Sequence, residues 1–364
     1  MGKKSERVKR TSVGGQAVIE GVMMRGVSSM AIAVRDEDDV IRIESKRIKP
    51  QSERSKFLRL PLIRGVVSFI ESFSSGTRTL MRSADVFGEG EPSRFEKWLA
   101  EKLKIDVMKI VTGFALILGL ALAIFLFMWL PQFTRISLER LFKTDFGVWA
   151  DNFIEGGLKL LIFVLYILLA SLLKDIRRTF MYHGAEHKTI SCYEKGLDLT
   201  VENVKKCSRV HDRCGTTFMV FVMLISILTF AVVESLVGGK IENVFRILLK
   251  IALLPVVAGL SYELLKGLSK TQSPLVLPLK IPGLLLQRIT TREPDDKMIE
   301  VAIASFNTVM EMDEDKTIKE KTFIVPEKRK DLVNRVKESL KENGIDEDAE
   351  AEWIVSIALD VKRS

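Results

Sequence analysis

Four apolar blocks set the frame of the chain. Residues 110–130 carry no charge and are long enough to cross a hydrocarbon layer as one helix. Residues 158–173 are shorter and include Lys159, which as a lipid-facing residue must snorkel to a polar boundary. The third block, 216–233, starts directly after Cys214. The fourth, 244–265, has Arg246 and Lys250 near one end and Pro255 midway, where a kink is expected. The second block is predicted to run on as helix through KDIRRTFMYHGAEHKTISCYE, because no proline interrupts it and only Gly184 weakens it.

Other periodicities occupy the flanks. Residues 13–26, VGGQAVIEGVMMRG, are apolar and rich in glycines that suit tight turns or close approach, with only Gln16, Glu20 and Arg25 bringing polar chemistry. MAIAVR, the acidic turn DEDD and VIRIES alternate with period two and predict a β-hairpin. Residues 60–87 are amphipathic and predict a helix lying on the membrane surface or packed on the spans. Arg64, Arg78 and Arg82 would then sit near headgroups, with Glu71 a solvated charge. After the blocks, the proline-bearing stretch 274–296 predicts an interfacial segment, and DDKMIEVAIASFNTVMEM a helix with an acidic start. Beyond 313 the chain turns highly charged, with helices expected at 328–342 and 348–361.

The pattern predicts a mainly α integral membrane protein with about four transmembrane helices, a small N-terminal cytosolic β element and C-terminal cytosolic helices. Its expected parts are an N-terminal cytosolic and interfacial region (1–109), a membrane core (110–312) around the loop 174–215, and a charged helical tail (313–364). Lysine and arginine crowd the connection between the second and third blocks, and the connection between the first and second holds few. The positive-inside rule therefore puts that loop and both termini in the cytoplasm of a multi-pass protein.

Composition refines this picture. A net charge of +8 could suggest nucleic acid, but no nucleic-acid-binding motif accompanies it, and basic flanks of membrane spans account for it. Three cysteines, grouped with histidines, argue against a secreted disulfide framework. The basic N-terminus is followed by no apolar signal core, so no cleavable export signal is expected.

All three histidines (His183, His187, His211) and all three cysteines (Cys192, Cys207, Cys214) lie between His183 and Cys214. Imidazole and thiolate are preferred ligands of transition metals, so the loop is read as a zinc-type site. On a helix His183 and His187 share a face, and Glu194 lies three turns on, about 20° away. Glu186 stands between the histidines in the order H-x-x-E-H, where a glutamate can act as general base for a metal-bound water. The expected ligands are His183, His187 and His211, with Cys214 or Glu194 as a fourth. Water in the fourth position would make the site open and catalytic; Cys214 there would make it structural. Cys192 and Cys207 are read as small buried residues. Further candidates are Gln16, Glu20 and Glu263, the last at the depth of Cys214, and Arg25, Arg209 and Arg213, which could steady developing negative charge.

GGQAVIEGVMMRG, RGVVSFIESF, YHGAEHKTISCYE, LTVENV, HDRCGT, SYELL and LQRITTREPDDKMIEVAI, in this order, resemble the YqhQ family of bacterial membrane proteins. The resemblance covers residues 13–312. It implies an integral protein of the bacterial cytoplasmic membrane centred on the ligand-rich loop, in a family described in part as predicted metal-dependent enzymes. The family pattern has a proline where this chain has Asp212, which loosens that turn and leaves His211 and Cys214 in place.

Two functions follow. One is Zn2+-assisted hydrolysis of a lipid or membrane-protein substrate at the bilayer surface, with Glu186 moving the proton. The other is a non-catalytic scaffold in which the metal is a structural clamp and the glycine-rich segment docks a partner or a second copy. Transport has little support, because the spans are expected to lack paired buried charges.

Overall fold

The alternation that predicts a hairpin in the N-terminal region holds, and it extends further than expected. In the computed structural model, which describes residues 11–87, 107–211, 214–238, 243–270, 276–323, 326–342 and 354–355, this region is a four-stranded antiparallel meander. Its strands are β1 (Gly14–Val18), β2 (Gly21–Arg25), β3 (Ser29–Arg35) and β4 (Ile41–Arg47), in the order β1-β2-β3-β4. The predicted hairpin is β3–β4, with Ser29 opposite Arg47 and Arg35 opposite Ile41. The glycine-rich segment is a second hairpin, Gly14 opposite Arg25, turning at Ile19 and Glu20, with φ of Glu20 at 48°. Three glycines lower the apparent strand propensity of β1 and β2, which is why pattern alone read them as turns.

Period two then sorts the sheet's side chains. Val22, Met24, Ala31 and Ala33 enter a core with Tyr182, Ala185, Ile299, Ala302 and Phe306. Met23, Met30, Ile32 and Val34 face the other way, onto Val86 and Phe323.

The amphipathic stretch forms α1 (Ile63–Ala84). The first apolar block lies in α2 (Val107–Ile124), a wider π turn at Phe125–Trp129, and α3 (Leu130–Phe142). Pro131 has no N–H for the preceding turn, and the wider turn absorbs that gap. The second block is α4 (Gly147–Ala170), followed by α5 (Lys174–Glu194) and the short α6 (Val201–Lys205). The third block is α7 (Gly215–Leu236), and the fourth is α8 (Asn243–Lys270), which remains helical through Pro255. Among the described residues, four helical stretches are long and apolar enough to cross a membrane: Ile117–Phe142, Gly147–Ala170, Gly215–Leu236 and Phe245–Leu268.

Three expectations are corrected. The helix of the second block does not run on into the ligand-rich segment: Leu173, with ψ of 134°, separates α4 from α5. No proline or glycine marks that break, and the packing of α5 between the sheet and residues 290–292 imposes it. Lys159 does not snorkel alone, since its Nζ lies 2.7 Å from Glu155 Oε1. The apolar helices also contain buried paired charges. Arg246 reaches Glu234 Oε1 at 2.5 Å and Glu155 Oε2 at 3.3 Å, Lys250 meets Glu155, and Arg135 lies 3.0 Å from Asp151. Arg246 and Lys250 had looked isolated because their partners come from other helices.

The stretch 274–296 folds in part into α9 (Leu277–Thr290), packed on α7, and Asp295 caps α10 (Asp296–Glu314) by accepting from the Met298 N–H at 2.9 Å. Arg47 satisfies carbonyls at the far end of α10, donating to Met312, to Asp315 at 2.9 Å and to Ile318 at 3.2 Å. The first tail helix is α11 (Pro326–Glu342). The second, expected at 348–361, lies outside the described residues except for 354–355.

Candidate metal centre

α5 carries the site, and two walls fix its orientation. One is the chain from Thr11 to Glu20, which lies along the helix with three attachments. Thr11 N–H donates to Glu194 Oε1 at 3.0 Å, Gly15 N–H donates to the Glu186 carboxylate, and Glu20 takes the Arg178 guanidinium and, at 3.2 Å, the Tyr182 hydroxyl. The spacings match because four strand residues advance about 13 Å and eight helical residues about 12 Å. The second wall is the link between α9 and α10. Arg292 N–H donates to the Phe180 carbonyl at 2.8 Å, and the Arg292 carbonyl presses on Gly184, where any Cβ would collide with it.

Three candidate ligands converge between these walls. Each of His183, His187 and Cys214 offers a ligand atom within 4.8 Å of the others. The imidazoles are held from behind: His183 Nδ1 lies 2.9 Å from the Thr290 carbonyl, and His187 Nδ1 lies 2.7 Å from the Arg209 carbonyl. An Nδ1–H donated to a carbonyl leaves the Nε2 lone pair for a metal, which is how ligating histidines are usually oriented. Cys214 Sγ lies 3.3 Å from His183 Nε2. Tetrahedral zinc with ordinary N and S bond lengths would separate those atoms by about 3.5 Å. Cys214 is also the N-cap of α7, its sulfur accepting from Thr216 N–H at 3.5 Å and Thr216 Oγ1 at 3.2 Å. The donor set His, His, Cys thus fits a zinc-type ion.

Glu186 stands beside this group. It is buried, its Oε2 has no hydrogen-bond partner among the described residues, and that oxygen lies 3.9 Å from His183 Nε2. Burial pushes its carboxyl above the usual range, against the pull of His183, His211 and the Gly15 N–H. Burial likewise lowers His187, so the neutral, ligating form is favoured.

The other candidates are placed differently. His211 is adjacent, its ring centroid 6.1 Å from that of His187, but it is not one of the three converging groups. Its Nε2 points to Glu194 Oε2 at 3.1 Å, so Glu194 holds His211 and Thr11 and does not join the ligand cluster. Arg209 contributes its carbonyl, while its side chain lies 3.9 Å from Glu293. Arg25 turns to Glu71 at 3.7 Å, where Arg54 also binds at 2.6 Å, so Glu71 is paired. Gln16 packs against Gly76 of α1, Glu20 is engaged by Arg178, and Glu263 takes a fork from Arg64 that joins α8 to α1. Asp212 and Arg213 lie outside the described residues. Cys192 and Cys207 are buried and meet each other; burial and the facing thiol push Cys192 up to about 12.

Sequence reading missed Gln287 and Thr290. The Gln287 amide is fully buried and grips the backbone of His211 at both ends, accepting from its N–H at 2.9 Å and donating to its carbonyl at 2.7 Å. It also donates to Thr217 Oγ1 at 2.9 Å, fixing the loop that delivers Cys214. A polar amide directly after the apolar run GLLL was the available signal. Thr290 acts through its carbonyl, which no sequence pattern marks.

A family profile described as "Protein of unknown function (DUF1385)" matches residues 60–312. The chain is 35% identical over 304 residues, 82% of its length and 92% of the relative's, to a Bacillus subtilis (strain 168) protein described as "Uncharacterized protein YqhQ". No solved structure matches the chain.

Proposed function

The chain belongs to the YqhQ-like DUF1385 family, and from that premise we propose a multi-pass protein of the bacterial cytoplasmic membrane, termini inside, that performs metal-assisted hydrolysis at its cytosolic face. The observation that carries this reading is the unpartnered Glu186 oxygen beside His183 Nε2, in a cluster of His183, His187 and Cys214. A buried carboxylate oxygen without a partner is costly and suits a group that takes a proton from an attacking water. His183, His187 and Cys214 would hold the ion, and it would supply Lewis acidity there. His211, held by Glu194, would contact the substrate from the side. The apolar helix Gly215–Leu236, which starts directly after Cys214, favours a substrate at the bilayer surface, either a lipid or a segment of a membrane protein.

Zinc content and hydrolysis of chromogenic carboxylic and phosphoric esters by the detergent-purified chain test the reading together. Glu186→Gln should keep the metal and lose turnover. A variant that keeps both would remove Glu186 from the chemistry.

The rival reading is a closed structural clamp in a scaffold. It is favoured by one observation: Cys214 Sγ and His183 Nε2 join the start of α7 directly to α5. In that case Glu186→Gln is silent, and loss of metal lowers the unfolding temperature.

A further inference from the structure

The circumference of α1 divides into three arcs at 100° per residue. Gly65, Gly76, Thr79 and Ser83 are buried and fall within about 60°. Arg64, Glu71, Arg78 and Arg82 form a charged arc. Between these, Phe69, Ile70, Phe73, Leu80 and Met81 fall within about 120°, and all are exposed, Phe73 at 72% and Met81 at 64%. Phe69 meets Phe218 of α7, and the stripe is otherwise exposed.

Contacts at the small-residue arc set its depth. Gly65 crosses Gly259 of α8 so closely that a Cβ would lie 2.9 Å from the Gly259 Cα, and the Phe69 ring lies 6.1 Å from that of Phe218, one turn into α7 from Cys214. The stripe therefore begins level with the first turn of α7 and with Gly259, which lies inside the Phe245–Leu268 stretch of α8 where Val256 and Leu260 are exposed. Towards its other end α1 rests on the sheet, where Ser83 Oγ accepts from the Ile19 N–H at 3.2 Å.

We propose that α1 is an in-plane membrane anchor, its stripe seated in the acyl region of the leaflet on the metal-centre side. The charged arc then lies at headgroup level, with Arg64 on Glu263, Arg82 on Glu44 and Glu71 on Arg54 and Arg25. Continuity with the apolar faces of α7 and α8 selects lipid over a second copy as the occupant. The proposal rests on the membrane placement given above and is independent of the metal.

A photoreactive benzoyl-phenylalanine at Phe73, in the full chain reconstituted into phosphatidylethanolamine and phosphatidylglycerol vesicles, tests it. The same group at Phe153 of α4, exposed on a candidate span, reports whether the span itself meets lipid. The expected result is a lipid adduct at Phe73 in yield within about twofold of that at Phe153. An adduct at Phe153 alone, or a cross-link from Phe73 to a second copy, overturns the anchor. Absence of lipid at both positions would refute the membrane placement and, with it, the anchor.

Discussion

Gly15 lies on Glu186 with no room for a side chain: a Cβ on Gly15 would sit 2.8 Å from the Glu186 Cγ and 2.7 Å from the Met23 carbonyl oxygen. One strand of the sheet is thus pressed onto the carboxylate of the candidate site. Gly15→Ala must lift β1 or displace Glu186, and overpacking of this kind costs about 1–3 kcal/mol. The unfolding temperature in detergent should fall, and Gly14→Ala, where a Cβ meets nothing within 4 Å, should leave it nearly unchanged.

The inner ligands should separate from their neighbours in a metal assay. His183→Ala, His187→Ala and Cys214→Ser each remove a converging atom and should abolish stoichiometric zinc in the purified protein. Gln287→Leu frees the loop carrying Cys214 and should weaken zinc about 10- to 100-fold in chelator competition. Equal loss from His211→Ala and His183→Ala would show that His211 is a ligand after all.

Asp313 ties the β2–β3 turn to the end of α10. Its Oδ1 accepts from Ser28 N–H at 3.0 Å and from the hydroxyls of Ser28 and Ser29, and its Oδ2 accepts from Val27 N–H at 2.7 Å. Burial alone would raise its pKa, but these donors together hold it below the ordinary 3.8. A lowered folded value means the stability is complete above about pH 3.8 and is lost as pH falls through the folded value. Asp313→Asn should cost about 1 kcal/mol at neutral pH, since partial exposure screens the site, and the difference from the parent should shrink on acidification towards pH 3.

At the other end of the apolar helices, Arg246 bridges Glu155 and Glu234, and Asn152 Nδ2 donates to Glu234 Oε2 at 2.5 Å. Arg246→Met leaves two buried carboxylates short of a cation and should destabilise the protein by about 3–5 kcal/mol, or prevent its accumulation. Lys159→Met removes only a half-buried partner of Glu155 and should be milder. Unfolding in detergent ranks the two; a reversed order would show that Lys159, not Arg246, neutralises Glu155.

The sequence by itself determined the elements whose cause is local. Largely apolar runs gave α4, α7 and α8, alternation gave the β3–β4 hairpin, and four-residue spacing put His183 and His187 on one face of α5. The grouping of histidine and cysteine also marked the segment in which His183, His187 and Cys214 converge. Contacts between distant residues were decided only by the tertiary structure. Burial of α5 beneath β1 and against residues 290–292 broke the helix at Leu173, where no local signal exists. It turned Glu194 to Thr11 and His211, and so left Cys214 in the cluster in place of the third imidazole. The carbonyls of Thr290 and Arg209 that orient the two histidines belong to the backbone, which is chemically identical at every position; only the fold selects which ones take part.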